Sequence, residues 1–160
     1  MLLIFPIAIT IHNIEEAIFM PKWLFKANKF RKRRVDAFEF RFAVCVITLV
    51  AYFVTGMMLW HSEMPLIRLL YYSFMGAMTI NALVPHLAVT IASRRYMPGV
   101  VSGTIIILPG FSIVLYHAIE RQLINGMLLA VASMLVGIVL LVALPLLFRF
   151  AAVLRRRFAK

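Results

Sequence analysis

Long apolar runs alternate with short polar or basic breaks along the whole chain. A bilayer core of about 30 Å takes roughly 20 helical residues. Runs at 2–20, 42–60, 65–93, 100–119 and 123–148 each come to about that length or more. The pattern predicts an all-α polytopic membrane helix bundle, one domain over residues 1–160, with five transmembrane helices. The first run lacks a basic segment ahead of it and a small-residue cleavage site behind it, so it reads as a retained span rather than a signal peptide. The third run is long enough to tilt. Pro109 and Pro145 are expected to kink the fourth and fifth helices. Two small-xxx-small pairs, Gly99 with Gly103 and Ser133 with Gly137, predict close helix approach, either inside the chain or across a homodimer.

Composition agrees with this pattern. Of 160 residues, 64% are hydrophobic, more than a small soluble domain can bury. The net charge of +11 changes the picture only through its placement. All but two of the 17 Lys and Arg residues lie between the first two runs, at Arg94 and Arg95, or in the tail; Arg68 and Arg121 are the exceptions. With five spans those three basic segments share one face. Positive-inside topology makes that face cytoplasmic, with the N-terminus outside and the C-terminus inside. The charge is therefore topogenic, and nucleic acid is not an expected partner. In segment 21–41, Trp23, Phe25, Phe30, Phe38 and Phe40 are interleaved with basic residues. That mixture suits a segment lying in the headgroup layer against anionic lipid.

Within the first run stand His12, Glu15 and Glu16. A charged side chain at the bilayer centre costs at least about 2.5–3.5 kcal/mol, so these acids need partners or a function. Spaced i, i+3 and i+4, they share one helix face, which is expected to look into the bundle. The third run carries Asn81, Pro85 and His86. Pro85 cannot donate to the Asn81 carbonyl, which leaves a backbone acceptor beside a side-chain amide. At about 1.5 Å per residue, His12 lies about 13 Å from Pro21, and His86 lies about 12 Å from Arg94. The two histidines therefore stand at similar depth, and the first and third helices are expected to build one site toward the cytoplasmic leaflet. His117 with Glu120, and His61 with Glu63, repeat the residue types near the outer surface, where they read as wet interfacial groups. Cys45 is the lone cysteine, which excludes an internal disulfide and a thiolate metal cluster.

At this point the chain resembles the HXXEE family of bacterial integral membrane proteins. His12-Asn13-Ile14-Glu15-Glu16 matches its signature. His86, in Asn81-Ala82-Leu83-Val84-Pro85-His86, resembles its second histidine, and Tyr96-Met97-Pro98-Gly99 its Tyr-x-Pro-Gly motif. The resemblance supports the choice of residues and implies a bacterial cytoplasmic membrane location. It assigns no reaction.

Two imidazoles and two carboxylates, from His12, His86, Glu15 and Glu16, are suitable ligands for a divalent metal such as Zn²⁺ or Fe²⁺. The cation would neutralise the acids. Without a metal, His12 and a glutamate form a proton-transfer pair. The expected catalytic set is His12, Glu15, Glu16, His86 and Asn81, in an enzyme acting on a lipid-like substrate. A proton- or cation-coupled transporter, and a structural accessory subunit whose helices are tied by a polar knot, are the alternatives. Tyr96, Pro98 and Gly99 are expected to form an interfacial anchor and turn, with Arg94, Arg95 and Tyr96 able to contact a lipid headgroup.

Overall fold

A computed structural model describes residues 2–27 and 35–158. Among the described residues the protein is entirely helical. Helix α1 spans Ile4–Ala27, α2 Ala37–Trp60 and α3 Pro65–Asn81. A kinked segment, Ala82–Leu87, in which Val84 leaves helical space, leads into α4, Ala88–Ser93. After a turn, α5 (Val100–Ser102), a π-helical stretch (Gly103–Ile107) and α6 (Leu108–Glu120) run on as one rod. Helix α7 covers Gly126–Phe158.

Local chemistry sets the boundaries. Asp36 caps α2, its Oδ1 accepting from the Glu39 amide at 2.9 Å. Pro65 opens α3 from the first helical turn, where its missing N–H costs nothing. Asn125 Oδ1 accepts from the Leu128 amide at the start of α7. Arg94, in the left-handed region at φ 51°, ends α4.

Four helices are long and apolar enough to cross a membrane: Ala37–Trp60, Pro65–Ser93, Val100–Glu120 and Gly126–Phe158. Helix α1, at 24 residues, has the length, and its polar residues lower its hydropathy. Its outward face is nonetheless a stripe of Ile4, Ile7, Ile11, Ile14 and Ile18, all exposed on the bundle surface. His12 and Asn13 are buried on the other side. This is the amphipathicity of a helix with lipid outside and a polar interior.

Helix α3 lies at the centre. Residues 71–78 are buried without interruption, as expected of a helix covered on every side. The Phe5 ring meets Tyr71 and Phe74 edge-on with centroids 5.2 Å away, and Phe111 at 5.7 Å. Tyr71 donates to the Leu2 carbonyl at 2.8 Å. Asn13 ties α1 to α2 through the Val44 carbonyl and the Thr48 hydroxyl.

Both small-residue pairs serve contacts inside the chain. A Cβ on Gly76 would lie 2.1 Å from Ser133 Oγ, so α3 and α7 meet backbone against side chain. A Cβ on Gly103 would lie 3.2 Å from that of Ala82.

The structure adds detail to the spans and changes the reading of the third. The first and second helices reach beyond the hydrocarbon runs: α1 continues through Pro21 to Ala27, and α2 begins at Ala37. Segment 21–41 is thus helical at both ends, and its residues 28–34 lie outside the described ones. The third span is broken rather than merely tilted. Val84 leaves helical space (φ −132°, ψ 111°), and the Val84–Pro85 peptide is cis. Pro109 lies inside the continuous rod, just after the π-helical stretch Gly103–Ile107, where the backbone ladder is disturbed without the helix ending. Pro145 lies inside helix α7.

Candidate functional site

Three elements converge on the buried face of α1. His12 is fully buried, and Glu16 follows one turn later on the same face. The break at Val84 re-aims the end of the third span so that His86, also buried, turns toward His12. The two rings meet edge to face with centroids 5.0 Å apart. The turn before α5 closes over them. Gly99 sits at φ 92°, where residues with a Cβ are strained. A Cβ there would come within 2.6 Å of His86 Cε1 and 2.9 Å of His12 Cε1. Glycine is therefore required twice, by the backbone and by the space.

His86 Nε2 stands 3.1 Å from Glu16 Oε1 and 3.1 Å from the Asn81 amide nitrogen. Glu16 Oε1 is 3.9 Å from His12 Nε2. His12 Nε2 and His86 Nδ1 are buried without a hydrogen-bond partner. One ligand atom each from His12, Glu16 and His86 falls within 4.8 Å of the others. Either imidazole can hold a proton toward the Glu16 carboxylate, and the same three atoms are of the kinds that ligate a cation.

Glu15 goes elsewhere. Its Oε1 accepts from the Tyr96 hydroxyl at 2.7 Å, the Gly99 amide at 2.9 Å and the Val101 amide at 3.3 Å. Its Oε2 accepts from the Ser102 amide at 2.8 Å and the Ser102 hydroxyl at 2.5 Å. The carboxylate thus caps the rod that begins at Val100, meeting its otherwise unpaired amides and the positive end of its dipole. Ser102 Oγ in turn lies 3.1 Å from His12 Nδ1.

Of the residues singled out in the sequence, the structure brings together His12, Glu16, His86 and Asn81. It places Glu15 beside them as a structural acceptor. Tyr96 points its hydroxyl at Glu15 and packs its ring on Phe19, while Arg94 and Arg95 are exposed. Burial and the neighbouring Glu15 carboxylate push the Tyr96 phenol above its ordinary value. His117 pairs with Glu120 at 2.9 Å and His61 with Glu63 at 3.7 Å, all four exposed. Sequence reasoning missed Ser102, a small hydroxyl in an apolar run. The turn expected at Pro98 and Gly99 is present, but its place against both histidines was not foreseen. The turn's position within the motif series was the available signal.

An open groove of about 490 Å³ runs along α1 beside this site. Ile11, Phe19, Val101, Ile105 and Ile106 form its apolar walls, with Glu15, Tyr96 and Ser102 among its lining.

Fold and site together define a helical membrane protein with a buried His/Glu cluster built from separate spans. The family model described as "Protein of unknown function with HXXEE motif" matches residues 3–116, and the chain belongs to that family. It is 41% identical over 145 residues to "Uncharacterized protein YrkK" of Bacillus subtilis (strain 168), covering 91% of each chain. No solved structure matches.

Proposed function

We propose that the protein is an intramembrane enzyme acting on a lipid-like substrate, with His12, Glu16 and His86 holding a divalent metal such as Zn²⁺ or Fe²⁺. The observation that carries this reading is the convergence of three buried ligand atoms within 4.8 Å, one of them the unpartnered His12 Nε2. Imidazole and carboxylate donors suit either metal. Bound there, the cation supplies Lewis acidity toward a substrate oxygen or water. Asn81 holds His86 in place, and Glu15 holds the turn that closes the site.

The apolar groove beside the site supports a lipid-like substrate arriving from the bilayer. A carrier using the same residues would need a polar route to both faces. On the N-terminal side of His12, Phe5 and Ile9 are fully buried, and Phe5 packs against Tyr71, Phe74 and Phe111. A second apolar cluster, Met20, Phe40, Val44 and Met97, covers the C-terminal side, so neither end of the bundle offers a carrier's polar route. The groove lined by Glu15, Tyr96 and Ser102 is then the approach to the site, in a protein of the bacterial cytoplasmic membrane with its basic connections inside.

The test is elemental mass spectrometry of protein purified in detergent without chelator. Stoichiometric metal in the wild type, lost in His12→Ala, Glu16→Ala and His86→Ala, is the expected result. Metal-free wild type would overturn the metal reading and leave acid–base chemistry at the same residues.

A further inference from the structure

We infer that Glu15 and Ser102 form a positioning pair that fixes the proton of His12 on Nδ1 and thereby presents the bare Nε2 lone pair to Glu16 and His86. The inference deepens the proposed function by assigning how the histidine is held, and its first measurement does not depend on a metal.

The argument is a count of donors and acceptors. Both oxygens of Glu15 receive hydrogen bonds: three at Oε1, from Tyr96, Gly99 and Val101, and two at Oε2, both from Ser102. Backbone amides can only donate, so three of these five bonds have a fixed direction. A proton on the carboxyl would face a donor on either oxygen. The single hydroxyl proton of Ser102 therefore goes to Glu15, across 2.5 Å. What remains on Ser102 Oγ is acceptor capacity. His12 Nδ1, 3.1 Å away, must then be the donor. A neutral imidazole carries one N–H, so Nε2 is unprotonated.

That nitrogen belongs to a fully buried side chain, has no hydrogen-bond partner, and lies 3.9 Å from Glu16 Oε1. Histidines that act through one nitrogen are commonly oriented by an acceptor on the other, which fixes the tautomer and raises ligand basicity. Here the acceptor is a serine hydroxyl, itself oriented by a carboxylate that the backbone of the 99–102 turn holds still. Neither Glu15 nor Ser102 needs to touch a substrate for this. Their role is to position His12.

The test is nitrogen NMR of ¹⁵N-histidine-labelled protein, stripped of metal and reconstituted in detergent. The His12 signals are assigned by their loss in His12→Gln. In the wild type the expected pattern is a protonated Nδ1 and a bare Nε2. Ser102→Ala removes the hydroxyl but keeps the residue 102 amide on Glu15, so the cap on the rod persists. His12 should then shift toward the Nε2–H tautomer, free to face Glu16. Ser102→Thr should restore the wild-type pattern. Zn²⁺ titration of the same proteins should show Ser102→Ala weaker by about 10–100-fold and Ser102→Thr close to wild type.

A wild-type His12 carrying its proton on Nε2 would overturn the inference, and so would an Ser102→Ala variant with an unchanged tautomer. If the wild type shows the Nδ1–H tautomer and Ser102→Ala loses it, yet Zn²⁺ does not bind, the positioning pair stands and the metal reading falls. His12 Nε2 would then be placed to act as a base.

Discussion

Glu15 and Glu16 are neighbours in the chain, and their carboxylates serve different partners. Glu15 receives five hydrogen bonds from the turn at residues 96–102. Glu16 faces His86 Nε2 at 3.1 Å across the helix interface. About 100° of helical rotation separates adjacent side chains, enough to send one toward the turn and the other toward the histidines.

This division predicts opposite phenotypes for the two amide substitutions. Glu15→Gln replaces an anionic acceptor with a neutral group that carries its own N–H donors into a ring of donors. It should lower stability by about 2–4 kcal/mol, since hydrogen bonds to charged groups are worth roughly 1.5–3 kcal/mol each. Glu16→Gln should leave the melting temperature much closer to wild type and abolish metal retention. Thermal unfolding in detergent and elemental analysis of both variants check the pair. Equal melting temperatures would remove the cap from the account.

Gly99 admits no side chain. Gly99→Ala would place a Cβ against both histidines in a backbone region that costs about 1–3 kcal/mol for other residues. Loss of stability of that order is expected, accompanied by displaced His12 and His86 signals in the histidine NMR spectrum. An alanine variant with native histidine signals would mean that the turn can move aside.

The contact between Gly76 and Ser133 gives a prediction far from the site. Gly76→Ala overpacks it, with an expected cost of about 1–3 kcal/mol, because the new Cβ would lie 2.1 Å from Ser133 Oγ. Adding Ser133→Gly vacates that space. The double variant should be more stable than Gly76→Ala alone, and a double-mutant cycle measured by thermal unfolding reads the coupling. Additive effects would count against close packing of α3 on α7.

Tyr96 carries a pH dependence. Burial, together with Glu15, raises its phenol above the ordinary 10.0. The folded protein thus holds the proton more tightly than the unfolded chain. The resulting stability is complete below the unfolded value and is lost as pH rises beyond it. Tyr96→Phe should lose less stability than the wild type between neutral and strongly alkaline pH. Identical alkaline slopes for the two proteins would rule out this linkage.

Much of this architecture was legible in the chain because the bilayer leaves few solutions. Apolar length located the spans, and fixed helical rise matched His12 with His86 in depth. Three features escaped for definite reasons. The kink at Val84 depends on how the chain satisfies the groups freed around Pro85, and spacing alone does not encode that. The separate fates of Glu15 and Glu16 depend on which element packs nearest each side of α1. Ser102 looks like any small residue in an apolar run until the turn at Gly99 brings it beneath His12.

Helix α7 covers α3 and supplies none of the residues from His12 to Ser102 that make up the cluster and its support. The chain emerges from the ribosome in that same order. All residues of the cluster have therefore been synthesised before the helix that covers Gly76 exists. The residues of the His/Glu cluster thus precede the helix that covers α3, and a chain ending before Gly126 would include every one of them and leave the Gly76 flank of α3 without its cover.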